Sequence, residues 1–264
     1  MRHAVFVAPF GALADPHRLI ELAQAAEASG WDALFLWDHV LRRDSAVPIA
    51  DPWVMMGAVA TATERLRVGP MVTPLPRRRL VKLAREALTV DALSGGRLTL
   101  GLGLGVDTSG ELSKLGDPVD PVERGAMLDE GVPLLADLLA GIHVEHRGPH
   151  FTVDGVSVGP RSPQGERPPL WFAARADAGR PIRRAARYDG VFPIDMNERR
   201  HARLLEVIVE ERGGLEDFDI AVRTDPGVMP PAYTHDSATW AVHAWPELVE
   251  PADVLKTVVA GPPD

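Results

Sequence analysis

Leu93–Gly105 reads L-S-G-G-R-L-T-L-G-L-G-L-G. Ser94-Gly95-Gly96 ends a helix, and Leu98–Gly103 then forms a strand whose exit is punctuated by Gly101, Gly103 and Gly105. Glycine at a strand exit carries no Cβ, so a backbone or a ligand can come close. A dinucleotide fingerprint would instead be G-x-G-x-x-G opening directly into a helix. Here the spacing is G-x-G-x-G, and the polar sequence that follows is broken by Gly116 and Pro118. No helix start is predicted where a pyrophosphate would need one.

Working outward, strands and helices alternate. Ala4–Pro9 is a continuous apolar run, as expected of a strand buried on both faces. Asp15-Pro16 and Asp51-Pro52 both read as helix starts, with Asp accepting from free N–H groups and Pro at the first helical position. Strands are predicted at Ala33–Trp37, Leu66–Val72, Leu98–Gly103, Leu170–Ala173, Gly190–Ile194, Phe218–Val222 and Thr239–His243. Helices are predicted between them, with the fourth running from Pro121 to Ala140 and a hairpin after it over His143–Asp154. Thr224–Ser237 holds three prolines and has room for no more than a stub of helix. Eight strands alternating with helices in 264 residues predict a single α/β domain spanning 1–264. It is a (β/α)8 TIM barrel, with a hairpin insertion after the fourth helix and a shortened seventh βα unit. Pro70 lies inside the third strand without an N–H to give the ladder, which predicts a bulge or an unusual peptide near Met71.

Composition narrows the chemistry. The formal net charge of −9 argues against nucleic acid or an anionic membrane as partner. The absence of cysteine excludes disulfides, thiolate metal sites and cysteine nucleophiles. No run is long and apolar enough to span a bilayer, so a cytoplasmic location is the expectation. In this barrel, chemistry belongs at the strand exits. Those exits carry Asp38 and His39, then Met71, Val72 and Thr73, then Gly103, Gly105 and Asp107. Later exits carry Ala173, Ala174 and Arg175, then Asp195, Arg223 to Asp225, and His243. Imidazole, several hydrogen-bonding groups and bare backbone describe a pocket for a flat, polar ligand.

Four segments together resemble the luciferase-like flavin- and deazaflavin-dependent oxidoreductases. They are A-E-A-S-G-W-D-A-L-F-L-W-D-H (Ala26–His39), A-T-E-R-L-R-V-G-P-M-V-T (Ala62–Thr73), L-S-G-G-R-L-T-L-G-L-G (Leu93–Gly103) and R-R-A-A-R-Y-D-G-V-F-P (Arg183–Pro193). The resemblance implies a bacterial-luciferase-like barrel that binds FMN or coenzyme F-420 at the strand exits. It also implies hydride transfer or monooxygenation of a small organic substrate, and a possible homodimer. By position, His39 and Asp38 take the catalytic acid/base and cofactor-facing places. Met71-Val72 takes the place of a non-prolyl cis peptide behind the ring, and Thr73 bonds the ring. Gly105, Val106 and Asp107 line the ring and ribityl chain. Ala173, Ala174 and Arg175 stand near the phosphate, where the family usually has a Gly-Gly pair.

Plainer readings stand beside these. His39 could be a structural histidine, and Asp38 could cap a turn. His143, His146 and His150 lie across a hairpin turn with no supporting carboxylate cluster, so no metal site is expected. Arg77-Arg78-Arg79 reads as a solvated helix start rather than a grip on a polyanionic coenzyme tail, although cations are mildly unfavourable there. Ala173-Ala174 and the short seventh unit leave a catalytically silent barrel as the alternative. A cofactor-free lyase or isomerase would need a lysine or carboxylate pair at the strand exits, and Lys82, Lys114 and Lys256 are poorly placed for it.

Overall fold

The computed structural model describes residues 1–42, 46–175 and 179–263. The strands and helices run in chain order as β1 (Arg2–Val7), α1 (Pro16–Ala28), β2 (Ala33–Leu36), α2 (Pro52–Ala62), β3 (Arg67–Pro70), β4 (Thr73–Pro74), α3 (Leu80–Leu93), β5 (Leu100–Gly103) and α4 (Pro121–Leu139). There follow β6 (Val144–Arg147), β7 (Thr152–Val156), β8 (Leu170–Arg175), α5 (Gly179–Ala186), β9 (Gly190–Ile194), α6 (Glu198–Arg212), β10 (Asp219–Thr224), β11 (Trp240–Ala244) and α7 (Pro251–Val259). Nine strands pair in the order β3-β2-β1-β11-β10-β9-β8-β5-β4, all in parallel. A parallel bridge between Val68 and Leu98 joins the two edges, so the fold is the predicted parallel barrel. The short antiparallel pair β6–β7 follows α4, and β10 reaches β11 through only a short 3-10 turn, Ala232–Thr234.

The third stave differs from its predicted form of one continuous strand. It is split into β3 and β4 around a cis Met71-Val72 peptide, directly after Pro70. The staves carry two apolar faces. Ala4, Phe6, Phe35, Trp171 and Trp240 belong to the cluster inside the ring. Val5, Val7, Leu34 and Leu36 pack outward against the helices. Inside, Trp171 and Trp240 meet edge to face with ring centroids 5.5 Å apart, and Phe35 lies 5.6 Å from Trp171. These rings fill the lower barrel, below the strand exits.

The glycine-rich stretch acts at both ends of β5. At the entry, Ser94 Oγ accepts from Arg97 N, while the Arg97 guanidinium donates to the carbonyls of Ala60, Thr63 and Ser94. It clamps the end of α2 to the start of the strand. At the exit, a Cβ on Gly101 would fall 2.3 Å from the Pro70 carbonyl oxygen, and one on Gly103 would fall 2.5 Å from Val72 Cγ2. The visitor for which these glycines make room is therefore the neighbouring stave, carrying its cis peptide into the barrel mouth.

Candidate functional site

A cavity of about 520 Å³ opens at the strand exits. Its walls are Phe6, Trp37 and Phe192, with Met71 and Val72 on one side and Gly103–Val106 beside them. Ala173, Arg175 and Arg184 close the far side. The volume is within the range of small-molecule and cofactor sites. Of the predicted residues, Asp38, His39, Met71, Val72, Gly105, Val106, Ala173 and Arg175 come together here. Thr73, Asp107 and Ala174 do not line the cavity. Thr73 is fully buried and donates to Asp38 Oδ2 at 2.6 Å. Asp107 accepts from the N–H groups of Leu112 and Ser113, which hold its carboxyl below the ordinary value. Ala174 packs into the outer core. Neither Ala173 nor Ala174 has positive φ, so the backbone there asks for nothing that alanine lacks.

His39 stands on the loop leaving β2. Its Nδ1 lies 2.7 Å from Glu111 Oε1, and the second Glu111 oxygen accepts from Val40 N at 3.2 Å. Glu111 is almost wholly buried, and Arg77 Nη1 sits 3.0 Å from its Oε2. Burial pushes the Glu111 carboxyl up. The His39 hydrogen bond and charge, the Arg77 charge and the Val40 N–H outweigh it and hold the carboxyl below its ordinary value. A carboxylate on Nδ1 fixes the ring's tautomer and orientation. Nε2 is then the nitrogen left to the cavity, and it has no protein partner among the described residues.

Asp38 lies deeper. Its carboxylate accepts from Thr73 Oγ1, from Trp53 Nε1 at 3.3 Å, from Arg77 Nη2 at 2.8 Å and from Arg78 Nη2 at 2.7 Å. Arg77 and Arg78 side chains are only 5% and 18% exposed, so the expectation of a solvated helix start is corrected for both. The signal was present in the sequence: cations before a helix start need compensation, and the compensating acids were 38 and 111. Glu111 was missed altogether. It sits in a segment that reads as a polar connection, and no local spacing marks it.

His243 is also corrected as an exit residue. Val242 packs inside the ring, so His243 turns the other way, with its ring centroid 4.9 Å from that of Trp31. His3 Nδ1 and His243 Nε2 are 3.1 Å apart in the outer layer. Burial drives the His243 pKa down to about 4. Of the hairpin histidines, His146 meets Glu130 at 3.0 Å, Glu130 also accepts from the His150 and Phe151 N–H groups, and His143 meets Ser157 Oγ.

The cavity suits a flat ring. Aromatic and aliphatic walls face each other across it, and Trp37 Nε1 is buried without a hydrogen-bond partner among the described residues. A buried indole N–H ordinarily finds an acceptor, and a ligand in this cavity can supply one. The class defined by fold and site is thus a parallel barrel with a ring-sized, histidine-bearing cavity at its strand exits. The profile of the luciferase-like monooxygenases matches residues 2–244, and the chain belongs to that family. It is 30% identical over 157 residues to the oxygenase component of a flavin-dependent trigonelline monooxygenase from Acinetobacter baylyi, covering 60% of this chain and 42% of that protein. It is 33% identical over 147 residues to an F420-dependent glucose-6-phosphate dehydrogenase from Nakamurella multipartita, covering 54% and 42%. The chain thus spans less than half the length of these relatives. Among solved structures, the coenzyme F420 dependent tetrahydromethanopterin reductase from Methanopyrus kandleri superposes with a TM-score of 0.71 at 22% identity, over 85% of this chain and 65% of that one. A type II Baeyer–Villiger monooxygenase oxygenating constituent from Pseudomonas putida, in complex with FMN, gives 0.71 at 18% identity, over 85% and 67%.

Proposed function

We propose that this chain is an oxidoreductase that holds FMN or deazaflavin F-420 in the strand-exit cavity and acts on a small organic substrate. Such a ring, when bound, accepts or delivers a hydride or activates oxygen. The observation that carries the reading is the His39–Glu111 contact at the edge of the cavity. Met71 and Val72 would back the ring. Trp37 Nε1 would give it a hydrogen bond, and Arg175 with the Ala173 backbone would face its anionic end. His39 Nε2 would hold or release the proton that accompanies two-electron chemistry at a substrate oxygen. Glu111 keeps that nitrogen aimed, and Phe6, Trp37 and Phe192 keep water away from it.

Titrating the purified protein separately with FMN and F-420, followed by fluorescence, tests cofactor choice. His39→Ala is expected to lower turnover about 10²- to 10⁴-fold while cofactor affinity changes little. Equal loss of both would remove the proton-transfer role. Binding of neither ring would favour a silent barrel. A cytoplasmic location and a homodimer belong to the same reading, and cell fractionation and sedimentation check them.

A further inference from the structure

Arg77 ends the 3-10 turn Leu75–Arg77, a few residues past the cis Met71-Val72 peptide. Its side chain is only 5% exposed, and its guanidinium spans two groups that come from other strand exits. Nη2 donates to the Asp38 main-chain carbonyl at 2.9 Å and to Asp38 Oδ1 at 2.8 Å. Nη1 lies 3.0 Å from Glu111 Oε2. The same carboxylate takes Val40 N on Oε2 and meets His39 Nδ1 with Oε1. His39 is thus held at three points. Arg77 holds the carbonyl before it, and Glu111 holds both the N–H after it and the ring. Among the described residues, Arg77 is the one side chain that bonds both Asp38 and Glu111, so it closes the loop. The charges close as well. Asp38 and Glu111 face Arg77 and Arg78, so this buried group is neutral before His39 is counted. Other charges nearby are answered by their own partners. Arg42 pairs with Glu247 behind Trp37, while Arg175 pairs with Asp195 and Arg184 with Asp129 across the cavity. The Phe10 and Trp37 rings that flank His39 carry no charge.

We propose that Arg77 is a positioning residue that sets how firmly His39 holds a proton and where its Nε2 points. The inference rests on the reading of His39 as the group that takes and gives the proton. An unanswered buried carboxylate on Nδ1 would trap a second proton on the ring, because opposite charges attract strongly where water is excluded. A guanidinium on the far oxygen answers that charge, so the ring can release the Nε2 proton as well as accept it. The fork matters as much as the charge. Two Nη groups at fixed spacing hold a carbonyl and a carboxylate together, whereas an ammonium is a point charge that serves one of them at a time. Arg77 also follows the stave that would back the ring, and it ties that wall to the imidazole.

The test follows the His39 ring nitrogens by nuclear magnetic resonance through a pH titration, in wild type, Arg77→Gln, Arg78→Gln and Arg77→Lys. No added ring is needed, so the result stands whether or not FMN or F-420 binds. In R77Q the ring is expected to keep its second proton to a pH about one unit higher than in wild type. R78Q removes the same charge from the same buried group but from a residue that does not touch Glu111, and it should shift the ring much less. R77K keeps the charge without the fork. It should hold the proton as wild type does but leave the ring in two orientations, seen as doubled or broadened signals. An unmoved titration in R77Q, or an equal shift in R78Q, overturns the proposal and leaves the ring-binding reading intact. If R77Q does not fold, R77K decides: a single sharp signal like that of wild type overturns the role, and doubled signals support it. With whichever ring binds, R77Q should also move the pH–rate profile upward while KM changes little. A uniform loss of rate with no movement of the profile would mean that Arg77 only supports the fold.

Discussion

Two groups of arginines flank the same cavity and live under opposite rules. Arg77 and Arg78 are buried among Asp38 and Glu111, each guanidinium within 3.0 Å of a carboxylate oxygen. Along α5 the arginines are mixed: Arg184 is buried, whereas the Arg180 and Arg183 side chains are 67% and 43% exposed, and their acids are outnumbered. The first group is adjacent in sequence, and the second runs along α5 and into the turn after it. Charge held in the interior must be answered fully, because an unpaired buried charge is costly. Charge at a groove rim can stay partly unanswered, because water screens it. The buried group therefore builds the site, and the open one tolerates an incomplete set of acids.

The largest break in that comparison comes from Asp38→Ala. It removes the carboxylate that two buried guanidiniums share and takes acceptors from Thr73 and Trp53. A loss of about 3–5 kcal/mol is expected, the range for breaking a buried pair from one side. Denaturant melts check it. A change below about 1 kcal/mol would mean that Asp38 is not the counter-ion the geometry makes it, since that is the range of exposed pairs.

Acid sharpens the comparison by acting elsewhere first. His243 has its pKa lowered from 6.5 to about 4 by burial, so the folded protein holds it neutral. Its contribution is fully present above pH 6.5 and is lost as pH falls toward 4, where the folded state also takes the proton. The loss at pH 4 is about 3 kcal/mol. His3 adds in the same direction, since burial lowers its pKa too. Glu111 contributes with the opposite sense of charge but the same pH direction. Its folded pKa is depressed, so its contribution is complete above the unfolded value and fades only at lower pH. Stability followed from pH 7 to 4 is expected to fall before the carboxylates titrate, and His243→Gln should flatten that fall. An unchanged profile would remove the outer-layer histidines as the cause.

Glu111→Gln is the next smaller break. The amide oxygen can still face His39, but the charge beside Arg77 is gone. A stability loss of about 1–3 kcal/mol is expected for a buried charged partner. Turnover should fall about ten- to hundredfold through loss of ring orientation. If stability falls and turnover per folded molecule does not, Glu111 only neutralises Arg77.

The barrel was legible because its signals are local. Apolar runs such as Ala4–Pro9, the Asp15 and Asp51 caps and the regular βα alternation each speak for themselves. Asp15 accepts from His17 N, and Asp51 from Trp53 N and Val54 N, as their pairing with proline implied. Pro70 even marked where the third stave breaks. The site was half legible. Strand exits named His39, Met71, Val72 and Gly105, because position along a barrel stave fixes which end a residue occupies. What failed was pairing between distant loops. Nothing in the local spacing links residue 111 to 39, or 77 and 78 to 38, and their burial is a tertiary property. Facing direction at a strand end failed in the same way: His243 and Ala174 each sit one residue out of phase with the interior.

The smallest effect separates the two arginine groups most cleanly. Arg187→Ser removes a guanidinium with no ion-pair partner among the described residues, and the folded protein should change by no more than about 0.5 kcal/mol, as for most surface substitutions. Arg78→Ser, by contrast, strips a direct contact from Asp38 at 2.7 Å and should cost several times as much. Raising salt to about 0.5 M shortens the screening length to a few ångströms. It should loosen the exposed Arg183–Glu211 pair and leave the melting of the Asp38 network almost unmoved. If salt instead softens the fold strongly, the assignment of which arginines hold the structure and which are screened by water is the wrong way round.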